Sequence, residues 1–201
     1  MIHPALRISV LLFAVLACGC VSTRVRGEKL VADAPAYRRV VVFCDVEDEG
    51  VRDQVEQAVA KELDEEEGIQ AAASLDILVE AKVYTPEEVR AALRSGAWEA
   101  MLIVGLDEYV TEVFTHPGSF GFAGSPFGGA VFLEPPTQFD RSTLQIYLQV
   151  VDNERDKPVW NGEAIASSSH VHSLEGLVRE IADRTRGRLA DDGILVPRPR
   201  R

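Results

Sequence analysis

Cysteine is scarce in this chain of 201 residues, and that scarcity excludes a fold built on disulfides. The three cysteines are Cys18, Cys20 and Cys44. A disulfide framework needs a larger, even set at regular spacing. Cys44 lies inside an apolar β-branched run, so we expect a small buried hydrophobe there. A pair between Cys20 and Cys44 is the alternative if the chain is cut before Cys18 in an oxidising compartment.

Long hydrophobic runs and excess positive charge are also missing. The apolar run near the N-terminus, residues 8–17, would rise only about 15 Å as a helix, half of a bilayer core. Lys and Arg number 21 against 32 Asp and Glu, which gives a net charge of −11. This charge argues against nucleic acid as a partner.

The motifs of common enzymes are absent as well. No G-x-x-x-x-G-K-S/T or G-x-G-x-x-G sequence follows a strand, and there is no G-x-S-x-G elbow. Ser167, Ser168 and Ser169 precede His170, but alternation along a strand sends neighbouring side chains to opposite faces. We therefore expect no enzyme, no catalytic residue and no cofactor. A cell-wall or ester hydrolase is the least favoured function.

The first twenty residues have the features of an export signal. Arg7 precedes the short apolar run, and small residues and cysteines follow it, as in secretory signal peptides. Cys18 and the preceding residues 15–17 resemble the lipobox of bacterial lipoprotein precursors. The resemblance implies cleavage just before a cysteine that receives a diacylglycerol. Cys18 is favoured and Cys20 is the alternative, so the signal peptide covers residues 1–17 or 1–19.

This resemblance also implies where the protein is held: on the periplasmic face of the cell envelope, by an N-terminal lipid. In enterobacterial lipoproteins an Asp after the lipidated cysteine retains the protein in the inner membrane. Here that residue is Gly19 or Val21, so the outer membrane is favoured. Residues 18–36 are weakly patterned, and we interpret them as a lipidated flexible tether that reaches about 20–25 Å.

Residues 37–195 are predicted to form one domain, followed by a basic tail at 196–201. Strands are expected at 38–46, 69–78, 100–114, 144–150 and 159–166, and the last two form a hairpin. Helices are expected from Val51 to Leu63, from Thr85 and from Ser173 to Gly193. The order β-α-β-α-β-β-β-α predicts an α/β (α+β) fold with helices packed against a mixed sheet.

Several pieces of the domain resemble small envelope lipoproteins of Gram-negative bacteria. They are residues 95–106, the segments 151–152 and 157–160, and the closing helix that ends in Asp-Gly-Ile-Leu195. Those proteins have a compact α/β domain, and similar folds occur in lipoproteins that activate wall synthases or form export pores. The resemblance implies a fold and a cellular location, and it assigns no functional residue beyond the lipobox cysteine.

A long segment rich in Phe, Gly and Pro, residues 115–139, separates the third and fourth predicted strands. It holds five of the eight phenylalanines, five glycines and four prolines. A loop this long is uncommon unless it is functional or disordered. We predict that it binds a partner, through Phe120, Phe122, Phe127 and Phe132. The alternatives are that these rings cover the core or that the loop is simply mobile.

The histidines suggest a second function, which we rank lower. His170 and His172 are two residues apart at a strand end, and His116 could join them as zinc ligands. No carboxylate or cysteine stands at ligand spacing beside them, so we predict no metal site. The favoured function is a lipid-anchored, non-enzymatic protein that binds or helps assemble an envelope protein or wall partner. A metal or small-ligand binder that uses His170 and His172 is the alternative.

Overall fold

The computed structural model describes residues 21–65, 68–78, 86–116, 120–125, 128–133, 137–169 and 172–196. Six strands form one sheet in the order β1-β8-β7-β4-β2-β3, and two more form a separate hairpin. The strands are β1 Val21–Lys29, β2 Arg39–Asp45, β3 Gln70–Ala73, β4 Ala100–His116, β5 Phe120–Ser125, β6 Gly128–Leu133, β7 Thr137–Asp152 and β8 Lys157–Ser168.

The sheet is mixed, as predicted. β2 pairs in parallel with β3 and with β4, whereas β4–β7, β7–β8 and β8–β1 are antiparallel. The parallel half comes from helix-connected strands and the antiparallel half from the hairpin after the polar turn at 153–156. Both features follow from the predicted element order, so the fold class is confirmed.

The described residues also contain four helices: α1 Glu49–Asp64, α2 Ser74–Ile77, α3 Pro86–Ser95 and α4 Leu174–Asp191. Ser173 caps α4, because its hydroxyl accepts the N–H of Gly176 at 3.2 Å. Gly193 ends that helix with φ +66°, which is the conformation that favours glycine at a C-terminal stop. Within the described ranges, no helix has the length and apolar character needed to cross a bilayer.

One hydrophobic core lies between the sheet and the pair α1 and α4. Val42, Cys44, Ile146 and Trp160 contribute to it from the sheet. We call this side of the sheet the helix face and the other side the open face. The open face is covered at β2, where Val41 and Leu93 of α3 are buried. Because side chains alternate along a strand, the residues on either side of each core residue point to the open face.

The prediction of a flexible tether over residues 18–36 is wrong for most of that range. Residues Val21 to Lys29 form β1, an edge strand whose nine positions all pair with β8, from Val21↔Ser168 to Lys29↔Trp160. Every second residue of β1 is half-buried, and none is fully buried. The half-buried positions include Thr23, Gly27 and Lys29, so the sequence lacks the strongly apolar alternation of a central strand. An edge strand covered on one face by a single helix needs little apolar character, and the sequence signal was correspondingly weak.

A tryptophan and a helix hold β1 in place. A Cβ built at Gly27 would lie 2.0 Å from Trp160 Cζ2, so only glycine lets the indole lie across the strand. Trp160 Nε1 donates to Asp192 Oδ2 at 2.8 Å. Arg188 donates to the same carboxylate at 2.9 Å and to the carbonyl of Gly27 at 2.9 Å. Gly162 also makes room for Trp160, because a Cβ built there would lie 2.2 Å from Trp160 Cη2.

Two other expectations need correction. The strand predicted over 69–78 is only Gln70–Ala73, because Ser74 begins α2 and its hydroxyl donates to Glu56. The segment 115–139 is not one long loop. β4 continues to His116, β7 begins at Thr137, and the hairpin β5–β6 lies between them. Pairing between β4 and β7 is non-local, and the sequence of β5 and β6 is rich in glycine without clear alternation, so the sequence revealed neither.

Candidate interaction surface

The open face of β1, β8, β7 and β4 carries exposed polar and aromatic side chains. Ile146 and Ala164 are fully buried on the helix face, so Gln145, Tyr147, Glu163 and Ile165 point to the other side. Tyr147 is 53% exposed and Ile165 is 37% exposed. These two large side chains stand on neighbouring strands, and Arg24 pairs with Ile165 one strand further out.

Side-chain hydrogen bonds between β7 and β8 order this face. Gln145 Nε2 donates to Glu163 Oε1 at 3.0 Å. Gln149 Nε2 donates to Asn161 Oδ1 at 3.0 Å. The two bonds lie on either side of Tyr147, whose cross-strand partner is Glu163. The amides therefore have defined orientations before any partner arrives, which lowers the entropic cost of binding.

The sheet ends at β1, and no described strand pairs with its outer edge. Ser22, Arg24, Arg26 and Glu28 are exposed along it. Charged side chains on an edge strand discourage uncontrolled pairing with other chains. The same edge can accept a partner strand of complementary charge, since its outward N–H and C=O groups form a regular row.

A buried carboxylate joins α1 to β2 and α2, and it is fully satisfied. Glu56 is 0% exposed. Its carboxylate accepts the N–H groups of Cys44 and Leu75 at 2.9 and 3.1 Å, the Ser74 hydroxyl, and Arg52 Nε at 2.9 Å. This group is a structural anchor, because each described donor around it belongs to the fold.

The Cys44 thiol lies beside that carboxylate and is buried, as the sequence predicted. Burial, reinforced by the negative charge of Glu56, raises the pKa of Cys44 to about 12. A thiolate is the reactive form of cysteine, so this thiol is a poor nucleophile at neutral pH.

A cleft of about 370 Å³ opens at the far end of the sheet between Tyr37, Trp98 and Asp152. The Tyr37 hydroxyl donates to Asp152 Oδ2 at 2.8 Å, and the N–H groups of Glu154 and Arg155 donate to Oδ1 at 2.9 and 2.8 Å. Burial, with the Asp152 hydrogen bond, raises the pKa of Tyr37 above its usual value. These polar atoms hold the turn at 153–156 and leave little capacity for a ligand.

The pKa of Asp152 moves in the opposite direction. Burial by itself would raise it, but the donated hydrogen bonds from Arg155, Tyr37 and Glu154 and the charge of Arg155 outweigh burial and hold the pKa below its usual value. Asp152 is therefore stabilised as a carboxylate inside the fold.

A second cleft, of about 420 Å³, is apolar and lies on the open face between α3 and the sheet. Phe43, Leu93, Met101 and Ile103 line it. Leu78 and Val89 also line it, and the chain between Leu78 and Pro86 is outside the described residues. The cleft therefore receives no ligand assignment.

The structure places some of the residues singled out in the sequence and leaves others outside the described ranges. Phe120 and Phe122 lie on β5, and Phe132 lies on β6 opposite Gly121. Cys18, Cys20, Phe127 and His170 fall outside the described residues.

The histidine and serine hypotheses gain nothing from the geometry. The backbone carbonyl of His172 accepts the Tyr109 hydroxyl at 3.2 Å. Among the described residues, no three His, Cys, Asp or Glu side chains stand together as metal ligands. Ser167 lies 3.4 Å from the Thr143 hydroxyl, and Ser168 is buried.

Sequence reasoning did not single out the open face. Tyr147 and the two glutamines around it were visible as the polar half of an alternating strand. Alternation showed that they share a face, but it did not show that this face stays uncovered.

The fold has counterparts among solved structures. The PelC dodecamer from Paraburkholderia phytofirmans matches in two crystal forms, one of them with a single substitution. The TM-scores are 0.52 and 0.50 at 12% and 11% identity, with 88% and 87% of this chain and 100% and 99% of PelC covered. Lipoprotein GNA1162 from Neisseria meningitidis matches with a TM-score of 0.43 at 14% identity, over 78% of this chain and 99% of that one. At these identities the likeness shows the fold alone.

Comparisons by sequence give no match. No protein-family model matches the chain, and no curated protein matches it by sequence. The class of protein that the structure defines is a single mixed α/β domain, with a fold similar to that of PelC.

Proposed function

We propose that this protein is a lipid-anchored, non-enzymatic component of a bacterial cell envelope that binds or helps assemble an envelope partner. The lipobox-like sequence ending at Cys18, with Cys20 as the alternative, supports the anchor. The outer membrane is the favoured location, because neither Gly19 nor Val21 is the aspartate that retains some lipoproteins in the inner membrane.

The observation that carries partner binding is the uncovered part of the open face. Tyr147 is 53% exposed at the centre of a rigid four-strand surface. Aromatic residues surrounded by polar groups are typical of the centres of protein interfaces. Phe120, Phe122, Phe127 and Phe132 belong to the proposal as further contact residues.

The kind of partner is the second part of the proposal. PelC assembles as a dodecamer. Copies of this chain are therefore one partner to test, beside a different envelope protein or a wall component. A net charge of −11 favours a surface with basic residues over an acidic one.

Intact-mass measurement of the protein extracted from bacterial membranes tests the anchor. We expect a mass that has lost the signal peptide and gained acyl chains. Replacing Cys18 with Ser should abolish processing if Cys18 is the lipidated residue, and the Cys20→Ser variant is the matched control. A full-length, unacylated mass for the unsubstituted protein would contradict the anchor.

Site-specific photo-crosslinking in intact cells tests the partner surface. A photoreactive residue in place of Tyr147 should give a discrete adduct whose partner mass spectrometry identifies. The control position is Arg184, which is exposed on α4 on the other side of the sheet. An absence of adducts, or equal adducts from both positions, would contradict binding through the open face.

A further inference from the structure

One end of the sheet carries both the start of β1 and the base of a long β-ribbon. Val21 pairs with Ser168, Ser168 with Ser142, and Ser142 with Thr111, so these four residues form one row across four strands. β4 and β7 continue past this row for five more paired positions, which end at His116↔Thr137. At about 3.4 Å per residue, the ribbon extends about 17 Å beyond the row.

We call this extension the arm. It consists of residues 112–116 and 137–141, and the hairpin β5–β6 is attached at its tip. Among the described strands of the sheet, β4 and β7 extend beyond the row, whereas β1 and β8 both end at it.

Little chain is available between the row and the cysteines. Cys20 directly precedes Val21, and Cys18 lies three residues before it. A fully extended chain spans at most about 3.6 Å per residue, so Cys18 is within about 11 Å of the row and Cys20 within about 4 Å. Because β1 is paired along its whole length, a lipid on either cysteine holds this end of the sheet close to the headgroups. The arm then reaches further than the linker does.

The composition of the arm and hairpin suits a bilayer interface. The charged residues of the arm, Glu112, Asp140 and Arg141, occupy the two paired positions next to the row. Beyond them, from Phe114 to Phe139, Glu134 is the sole Asp, Glu, Lys or Arg in the sequence. Phe114 and Phe139 occupy paired positions on the arm, and Phe120, Phe122 and Phe132 lie on the hairpin strands. Antiparallel pairing satisfies the backbone N–H and C=O groups between the two strands of each ribbon. The groups on the outer edges need water or headgroups as partners, so the contact we consider is with the interfacial zone and not with the hydrocarbon core. Burial of apolar surface is favourable by about 25 cal/mol per Å².

We propose that the arm and its hairpin contact the lipid bilayer in which the N-terminal acyl chains are embedded. This inference rests on the proposed lipid anchor and adds a second membrane contact to it. Two attachments at one end of the sheet fix how the domain stands on the membrane, whereas a lipid on a flexible tether would leave it free to rotate. The strands then run away from the membrane surface. Tyr147 lies five residues beyond the row on β7, on the side away from the membrane.

Quenching of an introduced tryptophan by brominated lipid tests the proposal. The acylated full chain with Phe122→Trp is reconstituted into vesicles of phosphatidylethanolamine and phosphatidylglycerol, with and without brominated acyl chains. The matched control is Leu30→Trp, because Leu30 is 42% exposed and follows the opposite end of β1. Leu30 lies nine positions after Val21, which corresponds to about 30 Å along an extended chain. The unsubstituted protein corrects for Trp98 and Trp160.

We expect the indole at position 122 to shift its emission to shorter wavelength and to lose much of it in brominated vesicles, while the indole at position 30 does neither. No quenching at position 122 in protein that floats with the vesicles overturns the arm proposal and leaves the lipid anchor intact. Protein that carries no acyl mass and does not float overturns the anchor and, with it, this inference.

A second measurement separates a bilayer from a protein as the surface that the arm contacts, and it also tests folding. Phe120→Ser combined with Phe122→Ser, in a chain that lacks Cys18 and Cys20, should reduce vesicle binding and leave the thermal midpoint unchanged. A large fall in the midpoint would instead place these rings in the core. Unchanged vesicle binding, with a photoreactive residue at position 122 capturing a protein in cells, overturns the bilayer in favour of a protein partner.

Discussion

Single residues in this protein tie together elements that are distant in sequence, and Glu56 is the clearest case. Its carboxylate accepts hydrogen bonds from β2, from α2 and from Arg52 on its own helix. Arg52 also lies over the Phe43 ring, 4.7 Å from its centroid. A buried charge with this many donors is costly to disturb, because each donor loses its partner when the carboxylate is removed.

We predict that Glu56→Gln lowers the free energy of unfolding by about 1–3 kcal/mol, since the new amide turns a donor toward groups that are themselves donors. Urea unfolding measures the change. Asp53→Asn, at an exposed position of the same helix, is the control and should change stability by less than about 0.5 kcal/mol. Equal effects of the two substitutions would mean that the Glu56 network contributes nothing.

Asp152 makes stability depend on pH in the acid range. Its folded-state pKa is lowered, so its contribution is fully present above the unfolded pKa of about 3.9 and is lost as pH falls through the folded pKa. We predict that Asp152→Asn is less stable than the unsubstituted protein at neutral pH and that the difference shrinks below about pH 4. Urea unfolding across this range measures it. Asp191→Asn, on the exposed side of α4, is the control, and a difference that stays constant with pH would contradict the prediction.

At the scale of elements, β1 decides how the domain relates to the membrane. The same residues interpreted as a tether would separate the domain from the lipid by about 20–25 Å. As an edge strand they place the candidate lipidated cysteines only one and three positions before Val21, the first residue of the sheet. Gly27 is the residue that permits this, because Trp160 occupies the space that any side chain there would need.

We predict that Gly27→Ala lowers the free energy of unfolding by about 1–3 kcal/mol, because the new methyl group overlaps Trp160. The matched control is Gly187→Ala on α4, where nothing lies within 4 Å of the added Cβ. That change should raise stability by about 0.5–1 kcal/mol through the helix preference of alanine. Thermal and urea unfolding measure both, and a neutral Gly27→Ala would support a loose tether.

At the scale of the whole molecule, the described residues form one main core cluster on the helix face, with a smaller apolar contact at Val41 and Leu93 on the open face. Residues from Ala34 to Leu195 contribute to the main core cluster, and Val21 and Val25 of β1 pack against it. β1 and β8 lie at one edge of the sheet and β3 at the other. Helix α4 contacts the strands at the first edge, α1 contacts β2 and β3, and the two helices pack against each other. No described element has a separate core that would let it unfold by itself.

We predict a single cooperative unfolding transition for the six-stranded sheet with α1 and α4, because these elements share the main core cluster. Far-UV circular dichroism and tryptophan fluorescence should give the same midpoint in urea. Trp160 reports on the β1–β8 edge, and Trp98 reports on the end of the sheet near Arg39. Two separated transitions would show that the edge strand and the central strands fold independently.

The sequence by itself determined the elements whose signals are local. The apolar run of β2 and the four-residue repeat of Val51, Val55, Val59 and Leu63 depend on spacing within one element. So does Ser173 at the start of α4, and all three were confirmed. Each of these signals is a spacing of residues within one element or a hydrogen bond between residues three positions apart. They can therefore be recognised without knowledge of the fold.

Only the tertiary structure decided which polar or weakly patterned segments join the sheet and which surfaces stay open. β1 pairs with a strand that begins 128 residues after it ends, counted from Lys29 to Lys157. Its place depends on Trp160, Arg188 and Asp192, which no local pattern connects to Gly27. The arm likewise depends on pairing between β4 and β7 across a segment with little alternation. Such contacts are set by burial and hydrogen bonding across the assembled domain, and a single sequence does not display that information.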